Sequence, residues 1–274
     1  MKFKYFSIIL GFILILNTLA APFVLAKNPD VPKSKLNIVA IGDSITFGYP
    51  PPSTTGFPDL ISGARKVVKF GGSGATSSQL LEAINANPKE FKAAVKRADV
   101  ITINIGSNDF MQATGIAALF AKLQPMVPNL EENLANGEIV KAISSTPLTP
   151  LTEQPLKQYS TNLLTIIETI KKHTKAPILL YNLYNPIVFS GNPIFDQFLE
   201  PLHNFIKENI LVVNSTIQQV GVVTGIHVVD AYSAFAKNPE DFIYPFDIHP
   251  TPAGQQALAS LADLKLQTIK NGKK

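Results

Sequence analysis

Polar residues suited to catalysis follow three β-like apolar runs of this chain, and a histidine lies in a loop near its C-terminus. The four segments are Gly42-Asp43-Ser44 after residues 37–41, Gly72-Ser73-Gly74 after residues 67–70, Gly106-Ser107-Asn108-Asp109 after residues 100–105, and Asp247-Ile248-His249-Pro250. Together they provide a hydroxyl, a base and uncharged N–H donors. These are the groups that attack an acyl carbonyl and stabilise the oxyanion that forms.

Ser44 follows the first apolar run directly, at the point where a strand would stop and a turn begin. Such a position exposes the hydroxyl and directs the backbone N–H of the same residue into the same space. A Gly-Asp-Ser tripeptide also makes an ordinary turn or helix N-cap, so alone it does not identify a nucleophile. The chain has no Gly-x-Ser-x-Gly motif, and the nucleophile elbow of the α/β-hydrolases is therefore not predicted.

Gly74 and Asn108 are the candidate donors to an oxyanion. A glycine lets the backbone approach a substrate oxygen and offer its N–H, although the same segment reads as a turn before a helix capped by Thr76 or Ser77. No lysine follows this glycine-rich stretch, so it is not a P-loop. The Asn108 amide can donate hydrogen bonds without carrying charge, but an asparagine in a turn often bonds the backbone instead.

His249 precedes Pro250 in a proline-containing run, residues 244–250, that does not read as a helix. A histidine held in a loop can act as general base toward a serine. The other three histidines, His173, His203 and His227, fall on predicted helices or at the start of a strand, and we interpret them as solvated or structural.

Five apolar runs predict strands, and periodic apolar positions between them predict helices. The strands are predicted over residues 36–41, 67–70, 100–105, 178–181 and 226–230, and the clearest helices over 155–173, 194–220 and 253–270, the last starting at Thr251-Pro252. Strands that alternate with helices indicate a parallel, three-layer α/β sheet with right-handed crossovers. The carboxyl ends of its strands would bring the first three segments to one crevice.

Residues 111–152 do not fit a minimal version of this plan, because the segment is long and its end is rich in proline. It follows Asn108 directly, so it could form a cap or partial lid beside the crevice. It could equally be a helical crossover with an added loop. Its apolar residues could line an acyl pocket or belong to the core: Ile116, Leu119, Phe120, Leu123, Met126 and Val127.

The order and spacing of the four segments resemble the signature blocks of the SGNH (GDSL-type) hydrolase superfamily, among its secreted bacterial-type lipases and esterases. The resemblance spans residues 36 to about 270. It implies a three-layer, flavodoxin-like fold with a central five-stranded parallel sheet and helices on both faces. It also implies lipase, esterase, thioesterase or carbohydrate-deacetylase activity without a metal or other cofactor.

By matching position, the resemblance makes Ser44 the nucleophile and His249 the base. The oxyanion donors would be the Ser44 N–H, the Gly74 N–H and the Asn108 side chain. The acid departs from the family pattern, which has an aspartate three residues before the histidine, where this chain has Phe246. Asp247 lies two residues before His249 and could still reach its Nδ1 atom in an extended segment. A backbone carbonyl could orient the ring instead, which would leave a Ser–His dyad.

The N-terminus predicts export. Lys2 and Lys4 precede an apolar stretch and small residues, so residues 1–26 read as a signal peptide cleaved near Ala26, or alternatively as an uncleaved membrane anchor. Residues 27–35 would be a flexible leader, and residues 36–274 a single domain with a possible cap at about 111–152. The chain has no cysteine, so disulfides and zinc–thiolate sites are excluded. Without residues 1–26 the formal charge falls from +4 to +2, too small to indicate a nucleic-acid partner.

These observations predict a secreted serine hydrolase that cleaves carboxylic esters, as a lipase or esterase, through an acyl-enzyme on Ser44. Its partner would be a small-molecule or lipid ester, with contact to a lipid interface, and the protein would be a monomer. Two alternatives stay open. One is a polysaccharide deacetylase or acyltransferase on the same fold, and the other is a non-catalytic module that binds lipid or carbohydrate. We favour medium or long acyl chains as the substrate class.

Overall fold

The computed structural model describes residues 35–48, 55–245 and 247–272. Its centre is a five-stranded, fully parallel sheet of order β2-β1-β3-β4-β5. The strands are β1 Leu36–Gly42, β2 Ala64–Gly71, β3 Val100–Asn104, β4 Ile178–Tyr181 and β5 His227–Val229. This is the strand order of flavodoxin-like folds, so the predicted fold class is confirmed.

Helices connect the strands and cover both faces of the sheet. In chain order they are α1 Ser44–Phe47, α2 Phe57–Leu60, α3 Ser77–Ala86, α4 Pro88–Lys96, α5 Ser107–Thr114, α6 Ile116–Leu123, α7 Leu130–Ala135, α8 Glu138–Ser144, α9 Glu153–Lys171, α10 Pro193–Thr224, α11 Ala231–Phe235, α12 Pro239–Phe242 and α13 Pro252–Asn271. The three long predicted helices are α9, α10 and α13. Thr251 caps α13 by accepting a hydrogen bond from the Gly254 N–H.

Two apolar cores lie on the two faces of the sheet. Side chains alternate along β4: Ile178 and Leu180 pack into the core that contains α9 and α10, whereas Leu179 and Tyr181 pack into the core that contains α2 and α13. Because both faces are covered, the central strands read as nearly continuous apolar runs in the sequence. Strand β2 lies at an edge and begins at Ala64 rather than at Val67. Arg65 and Lys66 are exposed and charged, as is typical of an edge strand, so the first residues of β2 show no apolar pattern in the sequence.

Residues 111–152 form the second half of α5, all of α6 to α8 and a 3₁₀ helix, Gln124–Asn129, so the segment is a helical crossover between β3 and α9. Pro125 and Pro128 both lie in the 3₁₀ helix, where a continuous α-helix could not accommodate them. The predicted signal peptide, residues 1–26, lies outside the described residues, as does nearly all of the predicted leader. Among the described helices, none combines the length and hydrophobicity needed to cross a bilayer.

Candidate active site

The four motifs meet at the carboxyl edge of the sheet. Gly42 ends β1, Gly71 ends the neighbouring β2, and Asn104 ends β3 on the other side of β1. The histidine loop lies between α12 and α13, where an antiparallel bridge pairs Ile243 with Pro250. Between these segments is a cavity of about 470 Å³, a volume typical of small-molecule sites. Its lining includes every residue that the sequence proposed for the chemistry: Ser44, Gly74, Asn108, Asp247 and His249.

Ser44, His249 and Asp247 form a continuous hydrogen-bonded chain. The Ser44 Oγ lies 2.9 Å from the His249 Nε2, and the His249 Nδ1 lies 2.5 Å from the Asp247 Oδ1. Ser44 is 3% exposed, and the side chains of His249 and Asp247 are 12% and 15% exposed. This is the arrangement in which an imidazole can take a proton from the hydroxyl while a carboxylate orients the ring.

A tight turn explains how an aspartate only two residues before the histidine reaches the ring. Besides the ring nitrogen, the Asp247 Oδ1 accepts hydrogen bonds from the Ile248 N–H at 2.6 Å and the His249 N–H at 3.2 Å. The other oxygen, Oδ2, accepts from the Gln124 Nε2 at 3.3 Å. The Tyr184 hydroxyl donates to the Ile248 carbonyl at 2.5 Å and ties the turn to the domain. The carboxylate therefore organises its own loop as well as the imidazole.

The position of Ser44 depends on Gly42 and Asp43. A Cβ on Gly42 would lie 2.2 Å from the Asn104 carbonyl oxygen, so only glycine lets β1 approach the end of β3 this closely. Ser44 is then the first residue of α1. The Asp43 Oδ1 caps that helix by accepting from the Ile45 N–H at 3.0 Å. The hydroxyl thus sits at the start of a short, capped turn.

Gly74 and Asn108 lie beside Ser44 in the cavity lining. Gly74 has φ of 74°, a left-handed conformation that favours glycine. Asn108 is 8% exposed, and its Nδ2 donates to the Ala75 carbonyl at 3.0 Å and, over a longer 3.4 Å, to the Asp43 Oδ2. One amide hydrogen is therefore held by the backbone. The second makes only the long hydrogen bond to the Asp43 Oδ2, so it is available to donate to a substrate oxygen.

Asp43 is an almost fully buried carboxyl, 1% exposed. Burial raises its pKa from 3.8 to about 7, and the negative charge of Asp109 adds to the increase, whereas the Ile45 N–H opposes it. Burial also raises the pKa of Asp109, although the Ser77 hydroxyl and N–H both donate to that carboxylate. Two interacting acids therefore lie beneath the nucleophile and the amide.

The Asp43→Asn variant should lack a loss of stability that the wild type shows between acid and neutral pH. With a raised pKa, the folded protein keeps a proton that the unfolded chain releases, so the free energy of unfolding falls as pH rises from about 3.8 to about 7. Asparagine is also a good N-cap and does not titrate. From pH 5 to pH 8 the free energy of unfolding of the wild type should fall by about 2 to 3 kcal/mol relative to that of the variant, as measured by urea unfolding. An equal difference between the two proteins at both pH values would contradict the burial of a titrating carboxyl.

Two features of the structure were not predictable from the sequence, one in the site and one outside it. Gln124 belongs to none of the four motifs, and its hydrogen bond to Asp247 joins segments far apart in the chain. His203, interpreted as solvated, is half-buried, with its ring against Phe189 and near the Asn185 amide. Within residues 35–48, 55–245 and 247–272, no group of three or more His, Asp or Glu side chains is arranged to hold a metal ion.

Comparison with known proteins identifies relatives of this chain. The model of the GDSL-like lipase/acylhydrolase family matches residues 40–257, well over half of the chain. The lipase Lip_vut3 from a goat rumen metagenome is 24% identical, over 83% of this chain and 95% of that one, with a TM-score of 0.54. The lipase/acylhydrolase from Enterococcus faecalis is 20% identical, over 85% and 97%, with a TM-score of 0.51. No curated protein sequence matches. At these identities the solved structures show a common fold, and the family model shows the family.

Proposed function

Because the chain belongs to the GDSL-like lipase/acylhydrolase family, we propose that this hydrolase cleaves carboxylic esters through an acyl-enzyme on Ser44. The family match also confirms the resemblance to SGNH (GDSL-type) hydrolases that the four motifs predicted. The observation that most directly supports the proposal is the 2.9 Å contact between the Ser44 Oγ and the His249 Nε2. A serine hydroxyl in hydrogen-bond contact with an imidazole is the arrangement that activates it as a nucleophile.

In the proposed reaction, His249 accepts the Ser44 proton as the oxygen attacks the ester carbonyl. The carbonyl oxygen becomes an oxyanion, which the Ser44 N–H, the Gly74 N–H and the Asn108 amide stabilise. The imidazolium, held by Asp247, then donates its proton to the departing alcohol oxygen as the C–O bond breaks. Water attacks the resulting acyl-enzyme, His249 takes its proton and returns it to Ser44, and the carboxylic acid leaves. Asp247 keeps the imidazole in the tautomer that exposes the Nε2 lone pair to Ser44.

The proposed reaction uses no metal or cofactor, since side chains and backbone amides supply the nucleophile, the base and the oxyanion donors. We also propose that the enzyme is secreted, because residues 1–26 have the composition of a signal peptide. We propose in addition that it acts as a monomer. Its substrate would be a small-molecule or lipid ester, reached in solution or at a lipid interface.

Labelling with a fluorophosphonate, together with p-nitrophenyl ester hydrolysis, tests the proposed function. We expect the purified protein to release p-nitrophenol and to gain one phosphonyl group on the peptide that contains Ser44. We expect both reactions to proceed unchanged after treatment with EDTA. A folded protein that neither hydrolyses esters nor takes up the label would refute the proposal and favour a non-catalytic binding module. Activity that disappears with EDTA and returns with a metal ion would refute metal independence.

A further inference from the structure

Apart from the reacting groups, the cavity has a mainly apolar lining. Three of its residues, Ala117, Phe120 and Ala121, share one face of α6 at helical spacing. The 3₁₀ helix and neighbouring segments complete the apolar part of the lining with Met111, Pro125 and Ile248. Gln124 continues the same face of α6 at its C-terminal end. The crossover over residues 111–152 therefore provides a side wall that begins close to Ser44.

Two small residues keep this wall open. Ala117 is half-buried and Ala121 is exposed to the cavity, whereas Phe120 beside them is 8% exposed. Other apolar residues of the same helix face away: Ile116, Leu119 and Leu123 are 0%, 0% and 1% exposed, in the core. The cavity of about 470 Å³ is much larger than an acetyl group requires. The apolar part of its lining can bury methylene groups but offers no hydrogen bonds.

Six of the lining side chains are polar, and five of these take part in hydrogen bonds within the protein. Besides the Ser44, His249, Asp247 and Asn108 groups, the lining includes Ser73 and Gln124, and the Gln124 amide donates to Asp247. A sugar bound here would leave hydroxyl groups facing an apolar wall, at a cost for each unpaired group. A hydrocarbon chain matches the same wall. The chemistry of the lining therefore favours an acyl group over a saccharide.

On the basis of the proposed function, we infer that the α6 wall binds the acyl chain of a medium-length ester, such as octanoyl, with the chain passing over Ala117 and Ala121. Each methylene buried on the wall should raise kcat/KM by up to about four-fold. Partial burial in an open cavity should make the ratio of kcat/KM for octanoyl over acetyl esters at least about ten-fold in favour of octanoyl. The alanines are specificity residues rather than catalytic ones.

The test compares p-nitrophenyl acetate with p-nitrophenyl octanoate for the wild type, Ala121→Phe and Ala118→Phe. The leaving group is constant, so the ratio isolates the acyl chain. The Ala121→Phe side chain should fill the part of the cavity beside α6 and reduce the octanoyl-to-acetyl ratio of kcat/KM about ten-fold. Ala118 is exposed on the same helix and is not among the lining residues, so Ala118→Phe should leave the ratio unchanged. Thermal unfolding checks that both variants fold, and Ala121→Leu replaces Ala121→Phe if the larger side chain is not tolerated.

The outcomes separate this inference from the proposed function. An acetyl ester that is hydrolysed at least as well as the octanoyl ester, by a protein that takes up the fluorophosphonate label, would overturn the inference alone. An equal effect of Ala121→Phe on both esters would also overturn it. A third comparison uses acetyl esters of alcohols of increasing length. If Ala121→Phe changed kcat/KM only in that series, the inference would also be overturned, because the wall would then bind the alcohol. Absence of both turnover and label would instead refute the proposed function.

Discussion

Ser44→Ala should reduce kcat for p-nitrophenyl esters by roughly four to six orders of magnitude and abolish fluorophosphonate labelling. The reason is that the Oγ, 2.9 Å from the His249 Nε2, is the atom proposed to form the acyl bond, and alanine offers no atom to replace it. Slow residual turnover should persist, because the oxyanion donors and the cavity remain. KM should change little, because the lost contact serves the transition state. Steady-state kinetics and intact-mass spectrometry would measure both effects.

Ser73→Ala is the matched control for labelling. Ser73 is an exposed serine in the lining of the same cavity, so its hydroxyl meets the same reagent. The Ser73→Ala protein should take up the phosphonyl group normally, and the Ser44→Ala protein should not. Ser44→Ala should unfold at nearly the wild-type temperature, since Asp43 still caps α1. Wild-type turnover by Ser44→Ala would contradict the assignment of the nucleophile. So would loss of the label in Ser73→Ala.

Asp247→Asn should reduce kcat by about three to four orders of magnitude. The Asp247 carboxylate, 2.5 Å from the His249 Nδ1, holds the proton on that nitrogen and stabilises the imidazolium that forms. An asparagine can turn its amide nitrogen toward the Nδ1, which favours the tautomer that blocks the Nε2 from accepting the serine proton. With its oxygen toward the ring instead, the asparagine would keep the bonds to the Ile248 and His249 amides but would lack the negative charge that stabilises the imidazolium. The variant should therefore lose kcat with a smaller change in KM.

The same substitution distinguishes a triad from a Ser–His dyad. If a backbone carbonyl oriented the imidazole, Asp247→Asn would retain most of its activity. Asp241→Asn is the control, because Asp241 is an exposed carboxylate on α12, close in sequence to the same loop. It should keep kcat within about two-fold, because a surface substitution of this kind changes the stability of the fold by no more than about 0.5 kcal/mol. A similar loss in both variants would point to a general charge effect instead of a role in orienting the ring.

The fold class and the positions of Ser44 and Asn108 could be read from the sequence, for a reason that is local. Strands covered on both faces are nearly continuous apolar runs, so β1, β3 and β4 stand out in the sequence, and polar residues follow where β1 and β3 end. In a parallel sheet those ends lie on one edge. The order of the runs therefore predicts which polar segments meet, whereas the roles of their residues came from the resemblance to a known family. The edge strand β2 was predicted less accurately because its exposed start lacks the apolar pattern.

The tertiary structure alone decided which groups contact one another. The spacing of Asp247 and His249 allowed two orienting groups, and only the turn closed by the Ile248 and His249 amides brings the carboxylate to the ring. The contact of Gln124 with Asp247 spans 123 residues and depends on how the crossover packs. The raised pKa of Asp43 likewise depends on burial by distant segments. Hydrogen-bond partners and dielectric surroundings come from residues remote in the chain, and no local pattern of residue types encodes them.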